Sequence, residues 1–341
     1  MDHLAIDIGG RESQICIRSA KGEIAVERRL RTTDLPKLFE QRAPSRVILE
    51  TCAESFWLAD AAKKARHDVK VVPTTLVKAL GVGSRSTKND RKDARVLSEA
   101  SCRMELPSVH IPSMESRDRK SRLSARDSLI ASRTMMINVV RGWMRTRAIR
   151  LRRSGDVVSF SERVREVCTE LPDYIDRMLN TLTVLTAEIA NADRELRTIA
   201  KNDPRCVTSM TVPGVGPVTA VAYKATLDSV ERFPDAHRAE AYLGMTPGEY
   251  ASSEKHHRTG ITKAGSSRMR WLLIQAAWTA RRFAKNHSMV LWATEIEKRR
   301  GVKVAIVALA RKIAGILFAL WRDGTTYRDP AAAQSRVAAA E

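Results

Sequence analysis

Short apolar runs that carry a single acid restrict the fold of the first third of this chain more than any other sequence feature. Residues 47–49 are Val, Ile and Leu, and Glu50 follows them directly. Residues 4–8 form a second apolar run, with Asp7 inside it. A carboxylate in a buried strand is costly unless it is paired or binds a metal. We therefore expect central strands that deliver acids to a site.

The surrounding pattern predicts a mixed sheet flanked by helices. Residues 14–18 and 23–30 alternate between polar and apolar side chains, as half-exposed antiparallel strands do. Further strands are expected at 45–50 and 69–72, and helices at 35–41 and 55–66. Three strands, a helix and then strand–helix–strand is the pattern of a ribonuclease-H-like fold. The Asp-Ile-Gly-Gly sequence at the start also occurs in nucleotide domains of the sugar-kinase and actin type, which is the alternative.

Two more acids open the next predicted helix, at residues 90–101. Asp90 and Asp93 are three residues apart and therefore share one helix face. Acids at this place also compensate the helix dipole, so the pair alone does not establish a site. Together with Asp7 and Glu50 they supply four hard oxygen ligands, which a divalent ion needs beside a phosphodiester. We predict that the four acids bind Mg²⁺, or Mn²⁺ in its place.

Other classes of site and partner are not expected. Residues 81–88 are rich in glycine and serine but lack the Gly-Lys-Ser/Thr order of a P-loop. The five cysteines are scattered without a CxxC pair, which favours reduced, mostly structural thiols in a cytoplasmic protein and disfavours a zinc site. Basic residues interrupt the longest apolar segment, 302–321, so no membrane partner is expected.

The charge of the chain points to nucleic acid. Lys and Arg number 59 against 39 Asp and Glu, a net charge of +20, which favours a polyanionic partner such as double-stranded DNA. Twelve basic and two acidic residues lie within 117–153, where apolar residues recur at helical spacing. We expect a long helix with a phosphate-tracking face that includes Arg117, Arg141 and Arg145, although a solvated surface is the alternative.

A second long helix is predicted from about residue 172. Its apolar residues form two heptad series, which are typical of a coiled-coil seam. The series are Ile175, Leu182, Ile189 and Leu196, and Met178, Leu185, Ala192 and Ile199. The sequence leaves open whether this seam packs on the preceding helix or on another subunit. Residues 211–220 resemble a helix-hairpin-helix turn, in which Gly214 and Gly216 would let a DNA phosphate approach; an ordinary inter-helix turn is the alternative.

The last third predicts a small, mostly helical domain. Helices are expected at 236–243, 267–285, 288–299 and 302–322, with a polar stretch at 248–265 between the first two. The predicted core is Leu272, Leu273, Ala276, Leu291, Ile306, Leu309, Ile313, Ile316 and Leu320. We therefore divide the chain into an α/β domain at 1–112, long helices at 113–200, a helical domain at 201–330 and a flexible tail at 331–341.

Several motifs together carry a family resemblance along nearly the whole chain. They are Leu-Glu-Thr at 49–51, Lys-Asn-Asp-Arg-Lys-Asp-Ala-Arg at 88–95, Val-Pro-Gly-Val-Gly-Pro-Val-Thr-Ala at 212–220, Tyr-Leu-Gly-Met-Thr-Pro-Gly-Glu-Tyr-Ala-Ser-Ser at 242–253 and Gly-Ile-Thr-Lys-Ala-Gly at 260–265. With these motifs the chain resembles the DEDD-type transposases of insertion-sequence family one-ten, which are bridge-RNA-guided recombinases. The resemblance implies a RuvC-like first domain and a later transposase domain.

The resemblance also implies a mechanism. A serine after an aromatic residue, here Ser252 after Tyr250, would attack DNA and form a phosphoserine link while the four acids hold the metal. Ser253 stands where the family usually has glycine, and it is the alternative nucleophile. The implied nucleic-acid contacts are Lys88, Arg91, Lys92 and Arg95 near the metal, and Lys263 and Arg268 near the serine. The implied partners are donor and target DNA, a structured non-coding guide RNA encoded beside the gene, and further subunits in a dimer or tetramer.

Three alternatives to this mechanism follow from the residues. His256 or His257 would act as a base for the serine. A RuvC-type junction nuclease would use the four acids alone, with water as nucleophile. A non-catalytic nucleic-acid-binding protein would use only the basic helix and the hairpin-like turn.

Overall fold

A computed structural model describes residues 1–79, 90–151, 156–252 and 255–329 of the chain, and the backbone alone at 77–79, 90–91, 249–252 and 255–258. The chain divides into two compact units, Met1–Pro112 and Ser113–Glu341. Lys88, Ser253 and the tail from residue 330, all named in the sequence predictions, lie outside the described residues.

The described part of the first unit contains one mixed sheet, as predicted. Its strands are β1 (His3–Asp7), β2 (Glu12–Arg18), β3 (Ile24–Arg31), β4 (Arg46–Glu50) and β5 (Asp68–Val72). The spatial order is β3-β2-β1-β4-β5. The first three strands pair antiparallel, and β1, β4 and β5 pair parallel. The sheet thus changes from antiparallel to parallel pairing at its central strand, β1.

Helices cover both faces of this sheet. They are α1 (Leu35–Glu40), α2 (Ser55–Lys64), α3 (Thr74–Ala79) and α4 (Asp90–Arg103). One core joins α1 and α2 to the alternate residues Leu4, Ile6, Val47 and Leu49 of the central strands. A second core joins Leu97 and Ala100 of α4 to Ala5 and Ile48. Because successive side chains of a strand point to opposite faces, α4 covers the face that Ala5 and Ile48 share.

The second unit is mainly helical. Its helices are α5 (Met114–Arg145), α6 (Phe160–Val167), α7 (Asp173–Asn202), α8 (Pro204–Ser209), α9 (Pro217–Leu227), α10 (Ala236–Tyr242), α11 (Ser267–Phe283), α12 (Ser288–Arg300) and α13 (Val302–Asp323). One core contains residues of α9, α11 and α13 together with Leu123 of α5 and Leu196 of α7. The long helices and the C-terminal helices therefore share part of one core.

Two elements of the second unit are absent from the sequence predictions. The polar stretch after α10 forms a hairpin of β6 (Pro247–Ser252) and β7 (Lys255–Ile261). This stretch lacks apolar alternation, so the pairing of backbone groups leaves no periodic signal in the sequence. The short helix α6 places Phe160 and Val164, four residues apart, in a core with α5 and α7. At eight residues it is too short for a clear helical period.

One predicted core residue is wrong. Leu291 is 52% exposed, because α12 buries Met289, Val290 and Ala293 instead. The other predicted core residues of α11 and α13 are buried or half-buried. Helix α13 has the length and composition of a membrane span, but half of its apolar window is buried, and the buried Tyr223 hydroxyl donates to its Ala314 carbonyl at 2.8 Å. In this structure α13 is a core helix.

Helices α5 and α7 pack on each other within the chain. The seam formed by the heptads of α7 therefore contacts the preceding long helix in this structure. Ile175, Leu182, Ile189 and Leu196 of the first heptad series are buried. Ion pairs flank the apolar contact. Arg122 pairs with Glu195 at 3.1 Å, and Arg126 pairs with Asp193 at 2.5 Å. Part of the positive charge predicted for a phosphate-tracking face is therefore used inside the chain.

A buried ion cluster holds the end of α7 to its neighbours. Asp203, 6% exposed, accepts hydrogen bonds from Arg119 of α5 at 2.7 Å and from Lys224 of α9 at 2.5 Å. Burial favours the neutral acid, but the two cationic donors outweigh it and lower the pKa of Asp203. The neighbouring Cys206 is buried, which raises the pKa of its thiol to about 12. All five cysteines are free, in agreement with reduced structural thiols.

Candidate functional site

Asp7 and Glu50 end neighbouring parallel strands. The register pairs Ile6 with Leu49, so Asp7 and Glu50 come next on their strands. Ala5 and Ile48, two residues before them, lie in the core beneath α4. Since the side-chain period of a strand is two, both acids belong to the face that α4 covers. Both residues are half-buried. Parallel pairing in register therefore brings two of the predicted ligands to one edge of the sheet.

Asp93 comes to the same end of the sheet because α4 runs opposite to β1. Ser101 near the end of α4 lies 2.7 Å from the His3 ring at the start of β1, and Leu97 packs with Ala5. Eight helical residues from Ser101 back to Asp93 span about 12 Å. Four strand residues from His3 to Asp7 span about 13 Å. Asp93 is therefore level with Asp7, and it is buried on the side of α4 that carries Leu97.

The donors at this edge suit a hard divalent cation, although the described side chains do not complete a metal site. No group of three or more His, Cys, Asp or Glu among those side chains is arranged to hold an ion. The predicted fourth ligand, Asp90, is described by its backbone alone, at the first position of α4. Carboxylate oxygens are the ligands that Mg²⁺ and Mn²⁺ prefer.

Ser252 is the last residue of β6, where the hairpin reaches its turn. Its backbone pairs with Lys255 across the hairpin, and His256 and His257 follow on β7. The side chains of Ser252 and of both histidines are outside the described set.

The base of the hairpin is fixed by contacts that sequence reasoning missed. Arg270 of α11 donates from one guanidinium nitrogen to the carbonyls of Ala264 at 2.6 Å, Gly265 at 3.1 Å and Leu243 at 3.3 Å. Gly244 has φ +68°, and a Cβ there would lie 2.0 Å from the Ala264 carbonyl oxygen. The segments before and after the hairpin are thus held together. In the sequence, the basic start of α11 predicts a nucleic-acid contact at Arg268 and does not indicate this role of Arg270.

The basic residues predicted near the acids differ in their environment. Arg95 forms a two-pronged ion pair with Glu27 of β3, at 2.5 and 2.7 Å, and this contact raises its pKa. Lys92 is exposed. The side chain of Arg91 and all of Lys88 are not described. Of this set, Lys92 has the most accessible charge, whereas the charge of Arg95 is matched within the sheet.

The predicted contacts on α5 also differ. Arg141 and Arg145 are exposed near the end of the helix, and the Arg141 guanidinium lies 5.5 Å from the Phe160 ring centre. Arg117 is half-buried and has a partner within the described residues. The charge available to a phosphate is therefore greatest at the C-terminal end of α5.

The two glycines of the predicted hairpin-like turn have different surroundings. Gly214 has φ +86°, and a Cβ there would lie 2.1 Å from the Ala276 carbonyl oxygen of α11. Gly216 caps the N-terminus of α9 and has open space where a Cβ would be. Packing on α11 accounts for Gly214 without any DNA, while Gly216 leaves a helix N-terminus accessible. The turn lies between α8 and α9.

The two basic residues predicted near the serine also have different surroundings. Lys263 is exposed, with φ +58°. Arg268 pairs with Asp127 of α5 at 2.6 Å and contacts the Ser124 hydroxyl at 3.1 Å. Arg268 therefore ties α11 to α5, and Lys263 is the more accessible cation.

Comparison with known proteins gives matches in both units. Residues 208–291 match the family model described as "Transposase IS116/IS110/IS902 family". Residues 4–147 match the DEDD transposase model of the IS110 group, described as "Transposase". The first of these segments contains Ser252, and the second contains Asp7, Glu50, Asp90 and Asp93.

Curated relatives match the chain over almost its full length. The transposase for insertion sequence element IS1111A of Coxiella burnetii is 29% identical over 337 residues, which cover 95% of this chain and 91% of the relative. The transposase for insertion sequence element IS1328 of Yersinia enterocolitica is 26% identical, and the match covers 95% of this chain and 98% of the relative. The similarity therefore extends through both units.

Proposed function

We propose that this chain, both units of which match transposase models of the IS110/IS116/IS902 group, is a transposase that recombines DNA through a covalent serine intermediate under the guidance of a structured RNA. The observation that supports this proposal most is the position of the acids. Asp7 and Glu50 end adjacent parallel strands, and Asp93 lies on α4, the helix that covers the sheet face to which both acids belong. Asp90 opens the same helix as Asp93.

The four acids have one task in this proposal. Asp7, Glu50, Asp90 and Asp93 would hold Mg²⁺, with Mn²⁺ as a substitute. When bound, the ion would supply positive charge that stabilises the reacting phosphate. Lys92, exposed on α4, is placed to attract the DNA backbone towards these acids.

Ser252 supplies the nucleophile. Its hydroxyl oxygen forms a bond to a DNA phosphorus, and the bond from that phosphorus to a deoxyribose oxygen breaks. The serine gives up its proton, and the departing deoxyribose oxygen gains one, so the number of phosphoester bonds is conserved. The hydroxyl end of a second strand then attacks the phosphoserine, which rejoins DNA and restores the serine. Ser253 is the alternative nucleophile.

The proposed partners follow from charge and reaction. A chain with a net charge of +20 suits two DNA duplexes and a guide RNA, all polyanions. Exchange of strands between two duplexes requires more than one nucleophile, so we propose that the protein acts as a dimer or tetramer. Arg141 and Arg145 on α5, Gly216 at the start of α9 and Lys263 after the hairpin are the proposed contacts in the second unit.

A covalent-adduct experiment tests this proposal. Purified full-length protein is mixed with labelled duplex DNA that carries the element's ends, Mg²⁺ and RNA transcribed from the flanking region, and is then denatured in detergent. We expect labelled DNA to stay attached to the protein, to be lost with Ser252→Ala and to persist with Ser253→Ala. Loss with Ser253→Ala alone would move the nucleophile by one residue. Strand cleavage at full rate in both variants would instead support a RuvC-like nuclease that uses water.

A further inference from the structure

The outer face of α11 carries an exposed aromatic stripe that the proposed reaction does not use. Trp271, Gln275, Trp278 and Arg282 are spaced by four, three and four residues, and all four are exposed. Trp271 is 59% exposed and Trp278 39% exposed. Steps of this size return to the same side of a helix. The opposite side of α11 buries Leu272, Leu273, Ala276, Ala277 and Ala280 in the core.

Exposed tryptophans at such positions require an explanation. The chain has only six tryptophans, and indole rings are usually buried because they remove much apolar area from water. Two of the six lie on one face of a helix whose core side is made of Leu, Met and Ala. Packing within the unit therefore does not explain why indole rings occupy positions 271 and 278. A partner that stacks on the rings of Trp271 and Trp278 would explain them.

Charge decides what kind of partner suits this stripe. Helix α11 contains Arg268, Arg270, Arg281 and Arg282 and no acid. The guanidinium of Arg281 lies 5.6 Å from the Trp278 ring centre, and Glu297 of α12 holds it through bonds of 2.8 and 3.0 Å. Arg282 is exposed and lies 5.1 Å from the ring centre of Phe283, which is 75% exposed. Aromatic faces interleaved with cations suit single-stranded nucleic acid, because bases stack on the rings and arginines contact the phosphates.

The spacing of the rings suits unpaired bases. Seven helical residues separate Trp271 from Trp278, a rise of about 10.5 Å. That distance equals about three base steps of 3.4 Å along one strand. Gln275 lies between the rings and offers an amide donor and acceptor to a base edge. In a duplex the base faces are stacked on one another and are not accessible to a side chain.

We propose that the Trp271–Trp278 face of α11 binds a single-stranded nucleic-acid segment by stacking its bases, with Arg282 contacting the phosphates. This inference rests on the proposed function for the identity of the natural ligand, which is the unpaired part of the guide RNA or the DNA strand released during exchange. The stacking chemistry is the same for both, and the RNA and DNA strands of the test distinguish them: tighter binding of the RNA strand indicates the guide, and tighter binding of the DNA strand indicates the released strand. Neither the four acids nor Ser252 takes part in it, so it is tested without cleavage.

The test measures binding of full-length protein in EDTA to labelled 20-nucleotide single strands of RNA and of DNA, and to the matching duplex. We expect Trp271→Ala and Trp278→Ala each to weaken single-strand binding by about tenfold or more, with less than a twofold change for duplex. Trp271→Phe keeps a stacking ring and should retain most of the affinity. Tyr174→Ala, at a residue 52% exposed on α7, is the matched control and should bind as the parent does.

A salt series and a mass measurement complete the test. Arg282→Ala should reduce the slope of log affinity against log salt by about one, whereas the tryptophan variants should leave that slope unchanged. Equal losses for single strand and duplex would overturn the proposal. So would unchanged binding with a lower oligomeric mass by light scattering, which would make the stripe a protein interface. Because no metal or covalent step is involved, failure of the serine mechanism would not alter these outcomes.

Discussion

Asp7 and Glu50 are neighbours in register at the ends of two parallel strands, on the sheet face that α4 covers. Each strand buries three apolar residues directly before its acid. The pairing brings two carboxylates to one edge of the sheet, and carboxylate oxygens are the ligands that Mg²⁺ and Mn²⁺ prefer. The activity proposed for this edge is therefore expected to depend on a divalent ion.

Replacement of one ligand should separate activity from folding. We expect Asp7→Asn to lower formation of the covalent DNA adduct by on the order of 100-fold or more, because one charged ligand is lost. Removal of metal with EDTA should have the same effect on the parent protein. The control is Asp34→Asn, at an exposed acid paired with Arg31. Binding of Mn²⁺ by titration calorimetry and adduct formation are the two measurements.

Loss of a predicted metal ligand should not weaken DNA binding. Asp7→Asn should leave DNA binding within about twofold of the parent, since the substitution changes the net charge of +20 by one unit only. Undiminished adduct formation in this variant would remove Asp7 from the metal site. It would also favour a role for the acids in packing alone.

Arg270 should position the serine hairpin. Its three carbonyl contacts join the residues on both sides of β6 and β7. We expect Arg270→Ala to slow adduct formation by on the order of 10- to 100-fold at saturating DNA, because a small displacement of a nucleophile costs this much. DNA affinity should change little. Single-turnover kinetics over a range of DNA concentrations separate the two effects.

A graded series strengthens that test. Arg270→Lys keeps the positive charge but replaces the planar guanidinium with an ammonium group, which can reach fewer of the three carbonyls. Its rate of adduct formation should lie between those of the parent and of Arg270→Ala. Arg299→Ala, at an exposed residue of α12, is the control and should behave as the parent. If Arg270→Ala lowered the unfolding midpoint while the rate of the remaining folded protein stayed normal, the contact would be structural only.

The buried ion cluster at the end of α7 should dominate the electrostatic stability of the second unit. Asp203→Asn leaves Arg119 and Lys224 without their shared counter-ion, and we expect a loss of about 3–5 kcal/mol in the free energy of unfolding. Asp118→Asn breaks an exposed pair with Arg122 and should cost less than about 1 kcal/mol. Urea unfolding followed by circular dichroism gives both values. Equal losses in the two variants would contradict this assignment.

The same cluster predicts a pH dependence. The pKa of Asp203 is lower in the folded state than its ordinary value of 3.8, since Lys224 and Arg119 outweigh the effect of burial. The contribution of Asp203 to stability is therefore complete above about pH 4 and is lost as the pH falls through the folded pKa. We expect the difference in unfolding free energy between the parent and Asp203→Asn to be constant from pH 7 to 5 and to shrink below pH 4. Urea titrations at each pH measure it.

The sequence predicted the strands of the first unit because their apolar runs are short, dense and separated by turns. It also predicted Asp7 inside a central strand and Glu50 at the end of another, whereas Asp7 in fact ends its strand beside Glu50. It did not predict the hairpin that carries Ser252, since that hairpin is polar and its pairing uses backbone groups. It did not predict Arg270 or the Arg119–Asp203 cluster either. Those contacts join residues far apart in the chain, and no local pattern indicates which arginines will find carbonyls or carboxylates.

The turn between α8 and α9 offers a last test, because its two glycines should respond differently to the same substitution. Gly214→Ala places a Cβ in contact with the Ala276 carbonyl at a positive φ, and we expect a loss of more than about 2 kcal/mol in unfolding free energy. Gly216→Ala meets open space at the helix cap and should cost less than about 1 kcal/mol. If the start of α9 contacts a DNA phosphate, Gly216→Ala should still weaken duplex binding severalfold, since a Cβ hinders close approach to the amide groups. Urea unfolding and a duplex titration on both variants measure these effects, and normal duplex binding by Gly216→Ala would make the turn a packing element alone.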